Sequence, residues 1–364
     1  MAASLVVQTS YLGDVILTTP LLARLAERGP VDVVTTRAAA PLLMSHPAVR
    51  EVLVYDKRGA ASGVGGLWRT ARRLRARAAR DRRASAEAGR RIAYLAQGSL
   101  RSATLALLAG YRERVGFDRS AGRALYTRTV RYREEEHHAA RLWRLGAEPQ
   151  GRADPVADEP GGDQPVPPEA LRPRLYPGPA DVEAVDALLR DAGHDGAPLL
   201  ALAPGSAWRT KRWPYFPDLA ALLAADGQRI VVVGDATDRA AAQAIRAAGG
   251  GATIDATGAL SLLATAELIG RCTVVVTNDS APQHLASAMG TPTVTLFGPT
   301  VPAFGFGPLA PHHATAGVAT LPCRPCDRHG PMRCPLGHWR CMRDLTAGEV
   351  AGLARDLART PAAR

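Results

Sequence analysis

The chain has 364 residues, 46% of them hydrophobic and 22% charged, with 45 Lys+Arg against 34 Asp+Glu and a formal net charge of +11. That length exceeds what one core usually organises, so two domains are expected. No apolar run approaches the ~20 residues of a membrane span, and the start Met1-Ala-Ala-Ser-Leu-Val-Val lacks the basic and small-residue features of a secretion signal, which points to a cytoplasmic protein.

In chain order, Leu5–Thr9 reads as a strand, Val15–Ala26 as a helix, Val31–Thr35 as a strand and Ala38–Ser45 as a helix stopped by Pro47. Val52–Tyr55 is the next strand. Residues 69–91 follow with ten Arg against Asp81 and Glu87, a local excess of eight, while Leu67, Ala71, Leu74 and Ala78 share one helical face. Such a patch suits an anionic partner (phosphorylated lipid, a membrane surface or nucleic acid) or is a solvated helix face. Ile92–Ala96 reads as a strand and Leu100–Ala109 as a helix closed by Gly110. Residues 149–180 are crowded with Pro, Gly and Asp and read as a linker.

Alternation then resumes. Leu199–Ala203, Arg229–Val233, Ala252–Ala256, Thr273–Thr277 and Thr293–Phe297 read as strands. Pro217–Ala225, Thr237–Ala248, Ser261–Gly270 and Gln283–Met289 read as helices, and amphipathic Ala347–Arg359 as a last one. Strands alternating with helices in both halves predict α/β architecture with parallel sheets, and two such domains suggest a ligand held in the cleft between them. The expected division is 1–150, a linker 151–180, a second domain 181–345 and a C-terminal helix 346–364.

Three strings sit where an open α/β sheet binds ligands. Ser10-Tyr11-Leu12-Gly13-Asp14 lies between the first strand and helix; Asp14 either accepts a proton from an attacking hydroxyl or caps the helix. Pro204-Gly205-Ser206-Ala207-Trp208-Arg209-Thr210-Lys211-Arg212-Trp213-Pro214 joins a glycine turn, a hydroxyl and three cations, which suits a diphosphate, or is an exposed basic loop anchored by its tryptophans. Asn278-Asp279-Ser280-Ala281-Pro282-Gln283-His284 ends a strand and opens a helix, whose N-terminus favours phosphate. No G-x-G-x-x-G follows either first strand, which disfavours a dehydrogenase. The Asp-x-Asp metal motif of many glycosyltransferases is absent as well. Four cysteines, Cys323, Cys326, Cys334 and Cys341, cluster with His329 and His338. In a reducing compartment they read as a structural zinc site or as ordinary thiols.

These strings together resemble the ADP-heptose:lipopolysaccharide heptosyltransferase family, glycosyltransferase family 9, and more its heptosyltransferase II branch. The resemblance is carried by Gly13-Asp14 with Thr19-Pro20, Gln97-Gly98-Ser99-Leu100-Arg101-Ser102, Arg114-Val115-Gly116-Phe117, Lys211-Arg212-Trp213-Pro214, Asn278-Asp279-Ser280, Leu296-Phe297-Gly298-Pro299-Thr300, Pro322-Cys323-Arg324-Pro325-Cys326 and Cys341-Met342. It implies a GT-B fold, two Rossmann-like domains whose parallel sheets face across a cleft, with acceptor bound by the first and donor by the second. It also implies inverting transfer of L-glycero-D-manno-heptose from ADP-heptose to the lipopolysaccharide inner core, with no cofactor required for catalysis. On the matching positions, Asp14 is the general base and Lys211 the lysine on donor phosphate and sugar. Gly13, Ser206, Asp238, Asp279, Ser280, Ala281 and His284 then fall in the donor site, and Gln97 and Arg101 on the acceptor side. The arginine-rich segment gains meaning as a contact with lipid phosphates at the cytoplasmic face of the inner membrane. Tyr94 stands where the family often has a carboxylate, Ala207 replaces a second hydroxyl, and Ala281-Pro282 departs from the frequent glycine-containing loop. These departures bear on fine donor contacts and on the choice of acceptor. The rival readings are a relative with another nucleotide-sugar donor or a non-lipopolysaccharide acceptor, and a non-catalytic nucleic-acid binder driven by the basic segment.

Overall fold

The computed structural model describes residues 3–57, 59, 62–84, 90–147 and 165–359, with the side chains of 81–84 and 252 outside the description. The chain forms two compact units, Met1–Pro173 and Arg174–Arg364.

The first unit runs β1 (Ala3–Val7), α1 (Leu12–Ala26), β2 (Val31–Thr35), β3 (Glu51–Val54), α2 (Gly63–Ala84), β4 (Arg91–Leu95) and α3 (Leu100–Leu108). It continues with β5 (Glu113–Phe117), β6 (Arg128–Val130), α4 (His138–Leu145) and a short α5 (Pro168–Leu171). Its strands are all parallel, in the order β3-β2-β1-β4-β5-β6. The central β1 and β4 read as apolar runs because they are buried at successive positions; on one face Leu5, Val7, Ala93 and Leu95 pack with Leu67, Ala71 and Leu74 of α2 and with Leu105 of α3.

α1 carries Pro20 in its interior, which leaves the Ile16 carbonyl without its i+4 amide donor. The Thr19 hydroxyl donates to that carbonyl at 2.8 Å, so Thr19-Pro20 continues a buried helix without an orphaned acceptor. The expected helix over Ala38–Ser45 is only a single 3-10 turn, Ala40–Leu43, where Pro41 offers no amide and Pro47 forbids extension. β5, β6 and α4 lie outside the sequence expectation. β5 and β6 are short, partly exposed strands toward the edge of the sheet, and α4 is a two-turn helix with one His and two Arg among its eight residues.

The second unit runs α6 (Pro179–Asp191), β7 (Leu199–Ala203), α7 (Phe216–Ala225), β8 (Arg229–Val232), α8 (Arg239–Gly249) and β9 (Thr253–Asp255). Then come α9 (Leu262–Gly270), β10 (Val274–Asn278), α10 (Ala281–Met289), β11 (Thr293–Leu296), β12 (His313–Ala316), α11 (Arg340–Arg343) and α12 (Ala347–Ala358). The sheet order β12-β11-β10-β7-β8-β9 is again fully parallel. Read from β9, it repeats the order of the first unit. α12 packs its Val350, Ala351 and Ala354 into the core beside Leu219, Leu223, Val294 and Leu296. The linker-like stretch 149–180 holds α5 and the first two residues of α6 in its described part, and 148–164 lie outside the described residues. Among the described residues, no helix is long and apolar enough to cross a membrane.

Candidate active site

In each sheet the strand order reverses between the first strand and the fourth: β1 beside β4, and β7 beside β10. Loops leaving adjacent strands in opposite directions open a crevice at their carboxyl ends, where ligands bind in open α/β sheets. Each unit carries a polar cluster at that point.

In the first unit, the turn after β1 is tied down by side chains. Gln8 donates to Thr18 Oγ1 at 3.3 Å and accepts from the Ser10 amide at 3.3 Å. Asp14 is the third residue of α1, whose N-cap is Tyr11, and its Oδ2 accepts the Tyr11 amide at 3.2 Å. The helix-cap reading is therefore partly realised, by reach-back from inside the helix. The other oxygen, Oδ1, lies 3.5 Å from His138 Nε2 on α4. Both groups are enclosed, with 18% of the Asp14 and 11% of the His138 side-chain surface exposed. Burial pushes the Asp14 carboxyl up to about 6, and the Tyr11 amide only partly opposes it. A carboxylate so placed is a usable base near neutral pH, since its conjugate acid is weak enough to hold an abstracted proton.

Beside it, Thr9 Oγ1 bonds to Gln97 Oε1 after β4. Lys57 Nζ donates to the Thr9 carbonyl at 2.7 Å, and Arg101 donates to the Lys57 carbonyl at 3.2 Å. The structure thus brings Gln97 and Arg101 together through Thr9 and Lys57, two groups that local motif reading did not single out.

In the second unit, the centre is Asp279, buried at the end of β10. Oδ2 accepts Lys211 Nζ at 2.6 Å and the Thr300 hydroxyl at 2.6 Å; Oδ1 accepts Gln283 Nε2 at 2.9 Å. Lys211 and Thr300 are themselves buried. Of the cations in the Pro204–Pro214 loop, only Arg209 and Arg212 are exposed, so the loop is not simply a solvated basic turn. Asn278 stitches it to β10, donating to the Pro204 carbonyl at 2.8 Å and accepting the Trp213 amide at 3.1 Å. Trp213 is the buried anchor, its indole donating to the Leu345 carbonyl at 3.0 Å; Trp208 is only half-buried and stacks on His329. Ser280, the N-cap of α10, donates to the Gly205 carbonyl at 3.1 Å. Ala281 begins that helix, and His284 is buried in its first turn.

Asp238, after β8, completes the cluster. A Cβ on Gly205 would stand 2.3 Å from its Oδ2, so only glycine lets the loop pass so near. Burial and the neighbouring Asp235 push the Asp238 carboxyl up. Ser206, Lys211, Asp238, Asp279, Ser280, Ala281 and His284 therefore all line the carboxyl edge of the second sheet. Gly13, assigned with them from the sequence, lies in the first unit at the second position of α1.

The cysteine-rich segment packs against this cluster. The Cys326 amide donates to the Pro299 carbonyl at 2.9 Å, Arg324 donates to the Phe297 and Thr300 carbonyls at 3.0 and 3.1 Å, and Thr210 reaches the Pro331 carbonyl. All five cysteines are free thiols. Cys323 Sγ is 3.8 Å from His338 Nε2. Among the described residues, no three His, Cys, Asp or Glu side chains converge to hold a metal ion.

Two sheets of Rossmann order, each with its polar cluster at the switch point, are the architecture of the GT-B fold. The profile of glycosyltransferase family 9 (heptosyltransferase) matches residues 88–337. The chain is 32% identical over 337 residues to lipopolysaccharide heptosyltransferase 1 of Pseudomonas aeruginosa, covering 88% of this chain and 85% of that one. It is 26% identical over 317 residues to lipooligosaccharide heptosyltransferase 2 of Haemophilus influenzae, covering 82% and 84%. The structure of E. coli ADP-heptose LPS heptosyltransferase II superposes with a TM-score of 0.76 at 24% identity, over 98% of each chain. The chain belongs to glycosyltransferase family 9, the heptosyltransferases.

Proposed function

We propose that this enzyme transfers L-glycero-D-manno-heptose from ADP-heptose to the inner core of lipopolysaccharide, with inversion at the anomeric carbon. The observation that carries the reading is the enclosed Asp14 carboxylate at the switch point of the first sheet, in a chain whose relatives are named for this transfer. On this reading residues 1–150 bind acceptor, with Gln97 and Arg101 on its polar groups, and residues 181–345 bind donor. Asp14 takes the proton of the acceptor hydroxyl as its oxygen attacks the anomeric carbon, and the bond to the departing ADP breaks.

Negative charge then grows on the diphosphate. One Lys211 N–H is committed to Asp279, which leaves two for phosphate, and the N-terminus of α10 adds its dipole. Asp279 and Thr300 fix where the ammonium stands. Ser206, Asp238, Ser280, Ala281 and His284 supply the surrounding contacts, and Gly13 allows the sugar to approach the backbone.

The outer face of α2 is a second part of the proposal. Residues 63–80 contain no acid, and exposed Val64, Trp68, Arg69, Arg72, Arg73, Arg75 and Arg80 share that face. Arginines with an interfacial tryptophan suit the anionic cytoplasmic surface of the inner membrane, which supports reading the enzyme as a cytoplasmic protein peripheral to that membrane. Zinc held by Cys323, Cys326, Cys334 and Cys341 is a proposal resting on their clustering in the sequence alone. No catalytic step is routed through it, and metal analysis of protein purified under reducing conditions tests it.

The deciding experiment is ADP release from ADP-heptose with heptose-free and mono-heptosylated lipopolysaccharide, for wild type and Asp14→Asn. Acceptor-dependent turnover that falls at least ~100-fold in the variant supports the reading, since a positioned base contributes roughly that much or more. Preference for the mono-heptosylated acceptor assigns the II branch. Absence of ADP-heptose binding would overturn the donor and send the search to other nucleotide sugars.

A further inference from the structure

Nothing so far gives His138 a task, yet the first unit invests much of its buried polar structure in placing it. The imidazole opens α4, where the preceding His137 acts as N-cap through Nδ1 to the Ala139 amide at 3.2 Å. The loop before it, 131–137, is held from behind by Arg141, a fully buried cation that donates to the Arg133 carbonyl at 2.7 Å, the Glu134 carbonyl at 2.5 Å and the Tyr132 hydroxyl at 2.8 Å. Arg144 clasps Glu136 through two nitrogens. Asp118 accepts the Tyr132 amide at 2.9 Å. α4 packs along α1, and Arg24 of α1 lies over the Trp143 ring at 3.5 Å. Arg24, Arg141, Arg144 and Glu136 thus have partners of their own, while the ring of His138 stands 3.5 Å from Asp14.

We propose that His138 is the positioning residue for the catalytic base, its Nε2–H donating to Asp14 Oδ1 so that the carboxylate stays oriented and ionised toward the acceptor hydroxyl. The inference rests on the reading of Asp14 as base. The two contacts are complementary. The Tyr11 amide donates to Oδ2 at 3.2 Å and His138 Nε2 stands 3.5 Å from Oδ1, so each oxygen has a neighbour that favours one carboxylate orientation and keeps a lone pair for the incoming proton. A lone pair on Nε2 would repel the carboxylate, so the arrangement requires the Nε2–H tautomer or the imidazolium. Enclosure by itself raises the proton affinity of Asp14, and a donor to the charged form opposes that rise.

The test is the pH dependence of kcat and kcat/KM for wild type, His138→Ala, His138→Gln and Asp14→Asn, with thermal unfolding as a control on folding. In His138→Ala the acid limb should move up by about one pH unit, which lowers the rate at pH 6 about fivefold. The loss should fall mainly on kcat. His138→Gln, which returns an N–H near the Nε2 position, should bring the limb back toward wild type. An unmoved limb in His138→Ala, or a limb in His138→Gln displaced as far as in the alanine variant, overturns the positioning role. Persistent turnover in Asp14→Asn would instead remove the base reading and the inference with it, so the two failures are told apart. Should the variants not fold, nitrogen chemical shifts of the wild-type imidazole decide: protonated Nε2 supports the inference and the Nδ1–H tautomer overturns it.

Discussion

The Lys211–Asp279 pair allows a quantitative test of the buried polar cluster in the second unit. Replacing Asp279 by Asn keeps size and shape but removes the charge that faces a buried ammonium. Asn Oδ1 could still accept from Gln283, while its amide group would stand where Oδ2 now accepts both Lys211 and Thr300. Thr300 can turn its hydroxyl to accept instead. Lys211 cannot, because an ammonium only donates. Breaking one side of a buried pair costs about 3–5 kcal/mol, most of it the uncompensated charge left behind. The second unit spans residues 174–364, a size at which each kcal/mol moves the midpoint by about 2–4 °C, so a fall of roughly 6–20 °C is expected in the melting of that unit. Lys211→Met should cost a similar amount. The double variant should cost clearly less than the sum, with a coupling of about 2 kcal/mol or more, because no lone charge remains. The assay is calorimetric melting of the four proteins of the cycle. Additive losses, or an Asp279→Asn protein as stable as wild type, would refute the claim that these charges hold each other in place.

Further expectations can be checked separately. The Asp14 carboxyl is more basic in the folded chain, at about 6, than in the unfolded chain near the ordinary 3.8. The native state therefore binds its proton more tightly, and this group's contribution to stability falls as pH rises from about 4 to about 6, by up to ~2–3 kcal/mol. Asp14→Asn should flatten that part of the stability–pH curve, and a curve unchanged in shape would contradict the burial argument. Gly205→Ala drives a methyl against the Asp238 carboxylate. It should weaken ADP binding by at least tenfold, about 1.4 kcal/mol, while Gly193→Ala, far from the cluster, should leave calorimetric ADP affinity unchanged. Arg141→Ala removes a buried cation with three acceptors. A loss of about 3 kcal/mol or more is expected from unsatisfied carbonyls and lost packing, read by denaturant unfolding of the first unit. Replacing Arg69, Arg72, Arg73 and Arg75 together by Gln should abolish sedimentation with vesicles containing anionic lipid at ~0.1 M salt, and retained binding would remove the membrane role of α2.

Much of this protein could be read locally. β7 and β2 end at the residues the apolar pattern indicated, and most helices agree within a turn, because buried parallel strands and amphipathic helices write their burial into a short window of sequence. The position of Asp14 in the first turn of α1, and of Ser280 and Ala281 at the start of α10, followed for the same reason: strand, turn and helix are contiguous in the chain. The edge strands β6 and β12, and β5 next to the edge, escaped, since a short, partly exposed strand carries polar residues in no distinctive order. The helix expected over Ala38–Ser45 shrank to one turn because two prolines weigh more than local propensity.

What only the tertiary structure decided is which distant groups share a site. The neighbour of Asp14 is His138, on a helix whose two turns look like a surface segment; nothing within reach of a sequence window links the two. Lys211, Asp279 and Thr300 likewise meet only because β7, β10 and β11 are adjacent in the sheet. The alternation of elements determined that the sheets would be parallel, through the physics of burial. The pairing of charges was settled by strand order, which sets which loop ends converge, and enclosure, not local sequence, raises the proton affinity of the helix-capping Asp14.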